Sequence, residues 1–105
     1  MFTDYYKLGK DGKTPEPVKN LQEAGNLWKK DRTVRKDNIG EIFISTVFLG
    51  IDHSFLEEGP PVLFETMIFG GDHDGYQARY TNWDDAVEGH GIAMDLVKGL
   101  TIEDL

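Results

Sequence analysis

Polar residues interrupt the two most apolar segments of the chain, and three of them are the first candidates for chemistry. Thr46 lies within residues 42–51, and Glu65 and Thr66 lie within residues 62–69. Both segments are rich in Ile, Val, Phe and Thr, which is typical of strands, and neither alternates between apolar and polar residues. We therefore expect two central strands covered on both faces, where a buried hydroxyl or carboxylate needs a partner or a ligand.

His90 is a further candidate because it belongs to an apolar stripe of a predicted helix. The stripe recurs at spacings of four and three residues and comprises Trp83, Val87, His90, Met94 and Val97. Gly89 and Gly91 flank His90, and each costs about 0.8–1 kcal/mol relative to Ala inside a helix, which indicates that a strand or a ligand approaches closely. Two interpretations stay open. His90 is a core residue hydrogen-bonded to Glu65 or Thr66, or His90 and Glu65 form the polar floor of a pocket.

The remaining histidines and carboxylates give no established metal or catalytic motif. Asp52-His53 follows a predicted strand and Asp72-His73-Asp74 lies in a turn, and both pairs of residue types suit zinc, manganese or iron. Neither has the HExxH spacing, and the second lacks the other ligands of a calcium loop. We therefore expect no metal and no cofactor, with Asp52 or His53 capping the strand end. No GxSxG, Walker or GxGxxG motif is present, which makes catalysis the less favoured interpretation.

These candidates have to be positioned by one small fold. The chain has 105 residues, so we expect a single domain over 1–105, and it has no cysteine, which excludes disulfides and thiolate chemistry. No apolar run approaches the about 18 residues of a membrane span, and no signal segment is recognisable. We expect a cytoplasmic protein without a membrane partner.

Turn, cap and periodicity signals predict an α+β fold, with an antiparallel sheet of about four to five strands and two helices packed on it. Residues 1–19 are predicted as a hairpin-like or extended segment around the turn at Asp11-Gly12. Asn20 and Glu23 form a capping box for a helix to about residue 30. Strands are predicted at 33–36, 41–51, 62–69 and 76–80. A second capping signal at Thr81-Asn82-Trp83-Asp84 begins the second helix, which ends at Gly99 and is followed by a frayed tail over 100–105.

Charge is divided unevenly along the chain, whose net charge is −8. Residues 1–40 hold nine Lys and Arg and six Asp and Glu, whereas residues 41–105 hold two and thirteen, so the parts carry +3 and −11. An acidic body repels phosphates, so general nucleic-acid binding is disfavoured. The basic residues of the first part include a cluster of Lys29, Lys30, Arg32, Arg35 and Lys36. Three interpretations of this cluster stay open: a solvated turn, a surface that pairs with the acidic part of a second subunit, or one wall of a phosphate-binding site. An isologous homodimer is the default assembly.

The segments TVFLGIDH at 46–53 and PPVLFETMIFGG at 60–71 form a pattern with Arg79-Tyr80, Trp83 and Gly89-His90. Over residues 26–98 this pattern resembles a group of small phage and prophage proteins without an established activity. The resemblance implies a phage-related origin. Small accessory phage proteins commonly block a host defence, either by binding a defence protein or by sequestering nucleotide-like immune signals as oligomers.

Our leading hypothesis is a counter-defence protein that binds and sequesters a nucleotide-derived signal as a homo-oligomer in the host cytoplasm. Tyr76, Tyr80 and Trp83 are candidates to stack on a base, and Arg79, Arg35 and Lys36 are candidates to bind phosphate. The predicted ligand-binding residues are Arg79, Tyr80, Trp83, Glu65, Thr66, His90, Thr46, His53, Asp52, Arg35 and Lys36. Two alternatives stay open: an acidic inhibitor that binds a host defence protein, and a small phosphodiesterase that uses its histidines on signalling nucleotides.

Overall fold

The computed structural model describes residues 5–27, 29–53 and 59–99. The elements are β1 Tyr6–Leu8, β2 Pro15–Pro17, α1 Leu21–Leu27, β3 Thr33–Ile39, β4 Ile42–Phe48, β5 Phe64–Phe69, β6 Gln77–Tyr80 and α2 Trp83–Lys98. The predicted α+β class is confirmed. Strands β3-β4-β5-β6 form one antiparallel sheet with α2 packed on it, β1 and β2 form a separate hairpin, and α1 contacts β1. The predicted tail at 100–105 lies outside the described residues.

Side-chain caps begin both helices as the sequence predicts, but α1 ends at Leu27 and not at about residue 30, since residues 29 and 30 lie outside the helix. The Asn20 Oδ1 atom accepts the Glu23 backbone N–H at 2.9 Å at the start of α1. Asn82 does the same for α2, where its Oδ1 accepts the Asp85 N–H at 2.8 Å. Gly99 ends α2 with a left-handed φ of 76°, a conformation that favours glycine. Neither helix in the described part of the chain has the length and apolar composition needed to cross a bilayer.

Strand β3 is longer than predicted and β4 is shorter. Asp37 and Asn38 were expected in a turn, but they pair with Ile44 and Phe43 of β4, and the turn follows at Gly40. Because β3 is an edge strand, its polar side chains reach solvent while its backbone still completes the ladder. The polarity of Asp37 and Asn38 therefore predicts a turn earlier in the sequence than the structure shows.

One face of the four-stranded sheet is covered by α2, and the other is covered by none of the described elements; we call the second the open face. Buried side chains on the covered face are Ile44, Thr46, Phe48, Phe64, Thr66 and Ile68. The alternate residues of β4 are half-buried, and Phe69 of β5 is 44% exposed. The expectation that both central strands are covered on both faces is therefore wrong for the described residues. Their open-face apolar side chains shield one another, as Phe43 and Phe69 do by stacking at 5.9 Å.

Small residues let α2 lie close to the sheet. Its buried residues are Ala86, Gly89, His90 and Ala93. The larger apolar members of the predicted stripe form the partly buried border, namely Trp83, Val87, Met94 and Val97. A Cβ atom on Gly89 would overlap the Tyr80 ring, whereas one on Gly91 would meet nothing within 4 Å. The predicted close approach is confirmed at Gly89, where a strand side chain meets the helix backbone, but not at Gly91.

Candidate functional site

A hydrogen-bonded chain of side chains runs across the covered face from β6 to β3. The Tyr80 hydroxyl donates to Thr66 Oγ1 at 3.1 Å, and the hydroxyls of Thr66 and Thr46 are 2.5 Å apart. Thr46 Oγ1 lies 2.7 Å from His90 Nδ1, and His90 Nε2 lies 2.8 Å from Asp37 Oδ2. Thr46 is 0% exposed and His90 is 4% exposed. The chain thus links a half-buried phenol to a carboxylate at the sheet edge.

One assignment of protons, inferred from the hydrogen-bond network, lets each member of this chain donate to the next. In this assignment Tyr80 donates to Thr66, Thr66 to Thr46, and Thr46 to His90 Nδ1, and the Nε2–H of His90 donates to Asp37. Burial raises the pKa of Tyr80 above its usual 10.0. The phenol therefore keeps its proton and remains the donor at the start of the chain.

Asp37, His90 and Thr46 have the residue types of an acid–base–nucleophile triad, but the geometry exposes neither His90 nor Thr46 to a substrate. Thr46 has no exposed surface, and both ring nitrogens of His90 are already engaged. The chain therefore holds α2 on the sheet in this conformation. The interpretation of His90 as a hydrogen-bonded core residue is confirmed, but its partners are Thr46 and Asp37 rather than Glu65 or Thr66.

Glu65 lies on the open face, away from His90. Its Oε2 atom accepts the Arg79 Nε–H at 2.9 Å and the Gln77 amide at 2.6 Å, and its side chain is 11% exposed. Because neighbouring residues of a strand point to opposite faces, Glu65 cannot share a pocket with Thr66 and His90. The predicted pocket floor of Glu65 and His90 is wrong. The Arg79 guanidinium, predicted to bind phosphate, instead pairs with a carboxylate.

The strand-end and aromatic candidates have structural contacts. Asp52 Oδ1 accepts the Val62 N–H at 2.9 Å, which confirms Asp52 as a strand-end cap, and the His53 N–H donates to the Val62 carbonyl at 2.9 Å. Trp83 lies edge-on to Phe64, with ring centroids 6.2 Å apart and planes at 89°. This geometry is typical of core packing, not of a platform for a base.

The predicted binding residues therefore do not converge on one pocket. Arg35 and Lys36 lie on opposite faces of β3, across from Thr46 and Ser45 respectively. The eleven residues divide into the buried chain, the open face, the strand end at Asp52 and His53, the edge strand β3 and, for Trp83, the start of α2. Within the described ranges, no group of three or more histidines or carboxylates could hold a metal ion.

The structure brings together a different set of side chains, which we call the basic cleft. A cavity of about 340 Å³ is lined by Lys7, Glu23, Asn26, Lys29 and Lys30. A smaller cavity of about 70 Å³ shares Lys7 and Lys30 and is also lined by Leu8, Asp31, Arg32 and Phe48. The basic cleft therefore forms where the β1–β2 hairpin, α1 and the segment leading into β3 meet.

The basic cleft is locally positive in an acidic protein. Lys7 Nζ lies 3.0 Å from Glu23 Oε1, and this ion pair lowers the pKa of Glu23 below its usual 4.5. At neutral pH the carboxylate is ionised and competes with any bound anion for Lys7. Lys29 and Lys30 are exposed, and neither has a carboxylate within ion-pair distance among the residues the structure describes. Their charges are available to a ligand.

Sequence reasoning found only part of the basic cleft. The cluster of Lys29, Lys30 and Arg32 was recognised as one possible phosphate-binding wall, but Lys7 and Asn26 were not connected with it. Lys7 reaches the cleft because β1 docks beside α1, a long-range contact that no local pattern indicates. The sequence indicates Glu23 as a helix-capping residue, but it does not indicate the ion pair between Glu23 and Lys7.

A third groove borders Trp83 but is poorly suited to phosphate. Its cavity of about 440 Å³ is lined by Asp11, Lys13, Thr14, Pro15, Asn82, Trp83 and Asp84. Hydrogen bonds from the Thr14 side chain and backbone, and from the Lys13 backbone, lower the pKa of Asp11 to about 2. Asp11 is therefore ionised at neutral pH, and together with Asp84 it repels anions.

Comparison with known proteins identifies no relative: no family model, no curated protein and no solved structure matches the chain.

Proposed function

We propose that the protein binds and sequesters a small nucleotide-like anion in the basic cleft and leaves it chemically unchanged. The observation that supports this is the convergence of Lys7, Lys29 and Lys30 on a cavity of about 340 Å³ in a chain of net charge −8. Lysine ammonium groups bind phosphates as point charges. Small-molecule sites start at about 300 Å³, so the cavity accommodates part or all of a nucleotide.

Sequestration fits the chemistry of the basic cleft better than hydrolysis does. Its lining residues are lysines, a glutamate and an amide, and His90 lies elsewhere with both nitrogens engaged. A phosphodiesterase needs a positioned acid and base beside the scissile bond. Together with the resemblance to small phage proteins, this supports a counter-defence role in which the protein depletes a nucleotide-derived signal in the host cell.

Native mass spectrometry with a panel of cyclic mononucleotides, cyclic dinucleotides and ADP-ribose tests the proposal. We expect one ligand mass per chain with at least one member of the panel, and intact ligand on denaturation. Lys30→Gln removes a cleft charge and should weaken binding about tenfold, which corresponds to about 1.4 kcal/mol. Lys98→Gln makes the same change on the exposed last turn of α2 and should leave binding unchanged.

Three results would contradict the proposal. Ligand recovered as new product masses would identify a hydrolase. A chain that ignores the whole panel would instead favour the acidic inhibitor of a host protein. Equal weakening by Lys30→Gln and Lys98→Gln would show a general charge effect and contradict the assignment of the site.

A further inference from the structure

We propose that the basic cleft recognises a terminal phosphate group, so that its preferred ligands are nucleotides that end in a phosphomonoester. This inference rests on the proposed function and names the chemical class of its ligand. It depends on the smaller cavity of the basic cleft, which we call the side cavity. The residues that line the side cavity are Lys7, Leu8, Lys30, Asp31, Arg32 and Phe48.

The side cavity has room for one compact group of a ligand. Its volume is about 70 Å³, against about 340 Å³ for the larger cavity. Small-molecule sites start at about 300 Å³, and a water in the liquid occupies about 30 Å³. A group the size of about two waters fits the side cavity, whereas a nucleotide base has to lie in the larger cavity. Because Lys7 and Lys30 line both cavities, a ligand in the larger cavity reaches the side cavity with one of its ends.

The charge of the side cavity matches a doubly charged anion. Three cations line it, namely Lys7, Lys30 and Arg32. Asp31 is the carboxylate among its described lining residues, so their net charge is +2. A phosphomonoester carries a charge of about −1.5 to −2 at pH 7, whereas a phosphodiester carries a single negative charge. Of these two groups, the monoester is the one that neutralises the side cavity.

Two of the three cations are held in position by the surrounding structure. Arg32 Nη1 donates to the Leu49 carbonyl at 3.0 Å, and Lys7 Nζ lies 3.0 Å from Glu23 Oε1. Side chains that are ordered before binding lose less conformational entropy when a ligand arrives. Phe48 is 2% exposed and forms an apolar wall of the side cavity. Beside such a wall the effective dielectric constant is lower than in bulk water, which strengthens the attraction between the cations and a phosphate.

Two ligands that differ at the phosphate test the inference. Adenosine 5′-monophosphate (AMP) ends in a phosphomonoester. Cyclic adenosine 3′,5′-monophosphate (cyclic AMP) has the same base, sugar and phosphorus, but its phosphate is a diester. In calorimetric titrations of the wild-type chain at low ionic strength, AMP should bind about tenfold more tightly, because it makes an additional hydrogen bond between charged groups.

The pH dependence of binding is a second measurement on the wild-type chain. The charged groups that face a ligand in the basic cleft are Lys7 of β1, Glu23 of α1, and Lys29, Lys30, Asp31 and Arg32 before β3. Hydrogen bonds with Lys7 and Thr33 lower the pKa values of Glu23 and Asp31, respectively, so both carboxylates stay ionised at mildly acidic pH. The second pKa of a phosphomonoester is about 6. AMP binding should therefore weaken about fourfold between about pH 7.5 and about pH 5.5, while cyclic AMP binding should stay constant.

Arg32→Gln and Lys29→Gln form a matched pair, since each removes one positive charge from the basic cleft. Arg32 lines the side cavity but not the larger cavity, and the reverse holds for Lys29. Arg32→Gln should abolish the preference for AMP over cyclic AMP. Lys29→Gln should weaken the binding of both ligands and preserve the preference.

Three results would overturn the inference: equal wild-type affinities for AMP and cyclic AMP, an AMP affinity that does not depend on pH, or equal loss of the preference in both variants. The first two do not depend on the folding of a variant. If cyclic AMP, a cyclic dinucleotide or ADP-ribose still binds in such a case, the proposed function stands and the terminal-phosphate inference alone is wrong. If no nucleotide binds, both are wrong.

Discussion

Replacing the two glycines beside His90 by alanine tests the close contact between α2 and the sheet. Gly89 and Gly91 both lie inside α2, so each substitution adds the same methyl group in the same helical environment. The surroundings differ. A Cβ on Gly91 meets nothing within 4 Å, whereas a Cβ on Gly89 overlaps the Tyr80 ring. We expect the two variants to change the free energy of unfolding in opposite directions.

The magnitudes follow from these surroundings. Gly91→Ala should stabilise the protein by about 0.8–1 kcal/mol through helix propensity alone. Gly89→Ala has the same gain but displaces Tyr80, which costs about 1–3 kcal/mol for overpacking and about 1–3 kcal/mol if Thr66 loses its buried partner. The net result is a destabilisation of about 1–5 kcal/mol. For a domain of this size, 1 kcal/mol corresponds to about 4–8 °C in Tm.

Urea unfolding followed by far-ultraviolet circular dichroism measures both changes. A double-mutant cycle provides the control, because in a Tyr80→Ala background the overlap is gone and Gly89→Ala should become stabilising. Equal stabilisation by Gly89→Ala and Gly91→Ala in the wild-type background would refute the close contact. So would a Gly89→Ala effect that is unchanged when Tyr80 is removed.

Three further predictions concern the buried chain, the basic cleft and the hairpin turn. Thr46→Val should lower the free energy of unfolding by about 2 kcal/mol, because His90 Nδ1 loses its hydrogen-bond donor. In calorimetry, the double variant with Thr66→Val should lose less stability than the sum of the two single variants. A strictly additive loss would argue against a connected chain. Glu23→Gln should strengthen anion binding in calorimetric titrations, because Lys7 loses its competing carboxylate; unchanged or weaker binding would count against the basic cleft. The pKa of Asp11 is about 2 when folded against a usual 3.8, so its stabilising contribution is present above pH 3.8 and is lost as the pH falls through about 2. Thermal melts should find Asp11→Asn less stable than wild type at neutral pH and equal to it below that range; a difference that is independent of pH would contradict this assignment.

Local signals predicted the elements well because helix caps and turns depend on neighbouring residues. Asn20 and Asn82 accept the hydrogen bonds that their spacing indicated, and Gly99 ends α2 as expected. The position of the β3–β4 turn was misjudged, because Asp37 is polar yet belongs to an edge strand. Because the sequence predicts Asp37 in a turn, it does not indicate Asp37 as the hydrogen-bond partner of His90 Nε2.

The candidate site was less predictable because it depends on which faces and segments meet. Thr66 and Glu65 are neighbours in sequence but point to opposite faces, so one joins the buried chain and the other pairs with Arg79. The apolar run of β5 gave no alternation from which to assign these faces. Lys7 and Lys30 converge only through the docking of the hairpin, which local periodicity does not encode.

The most direct test of the proposed function is an amide proton–nitrogen NMR titration with the nucleotide panel at low ionic strength. We predict that a bound ligand shifts the amide signals of Lys7, Asn26, Lys29 and Lys30, and that added salt reverses the shifts because charge pairing is screened. Shifts concentrated at Arg79 and Trp83, or no shifts with any member of the panel, would contradict anion binding in the basic cleft.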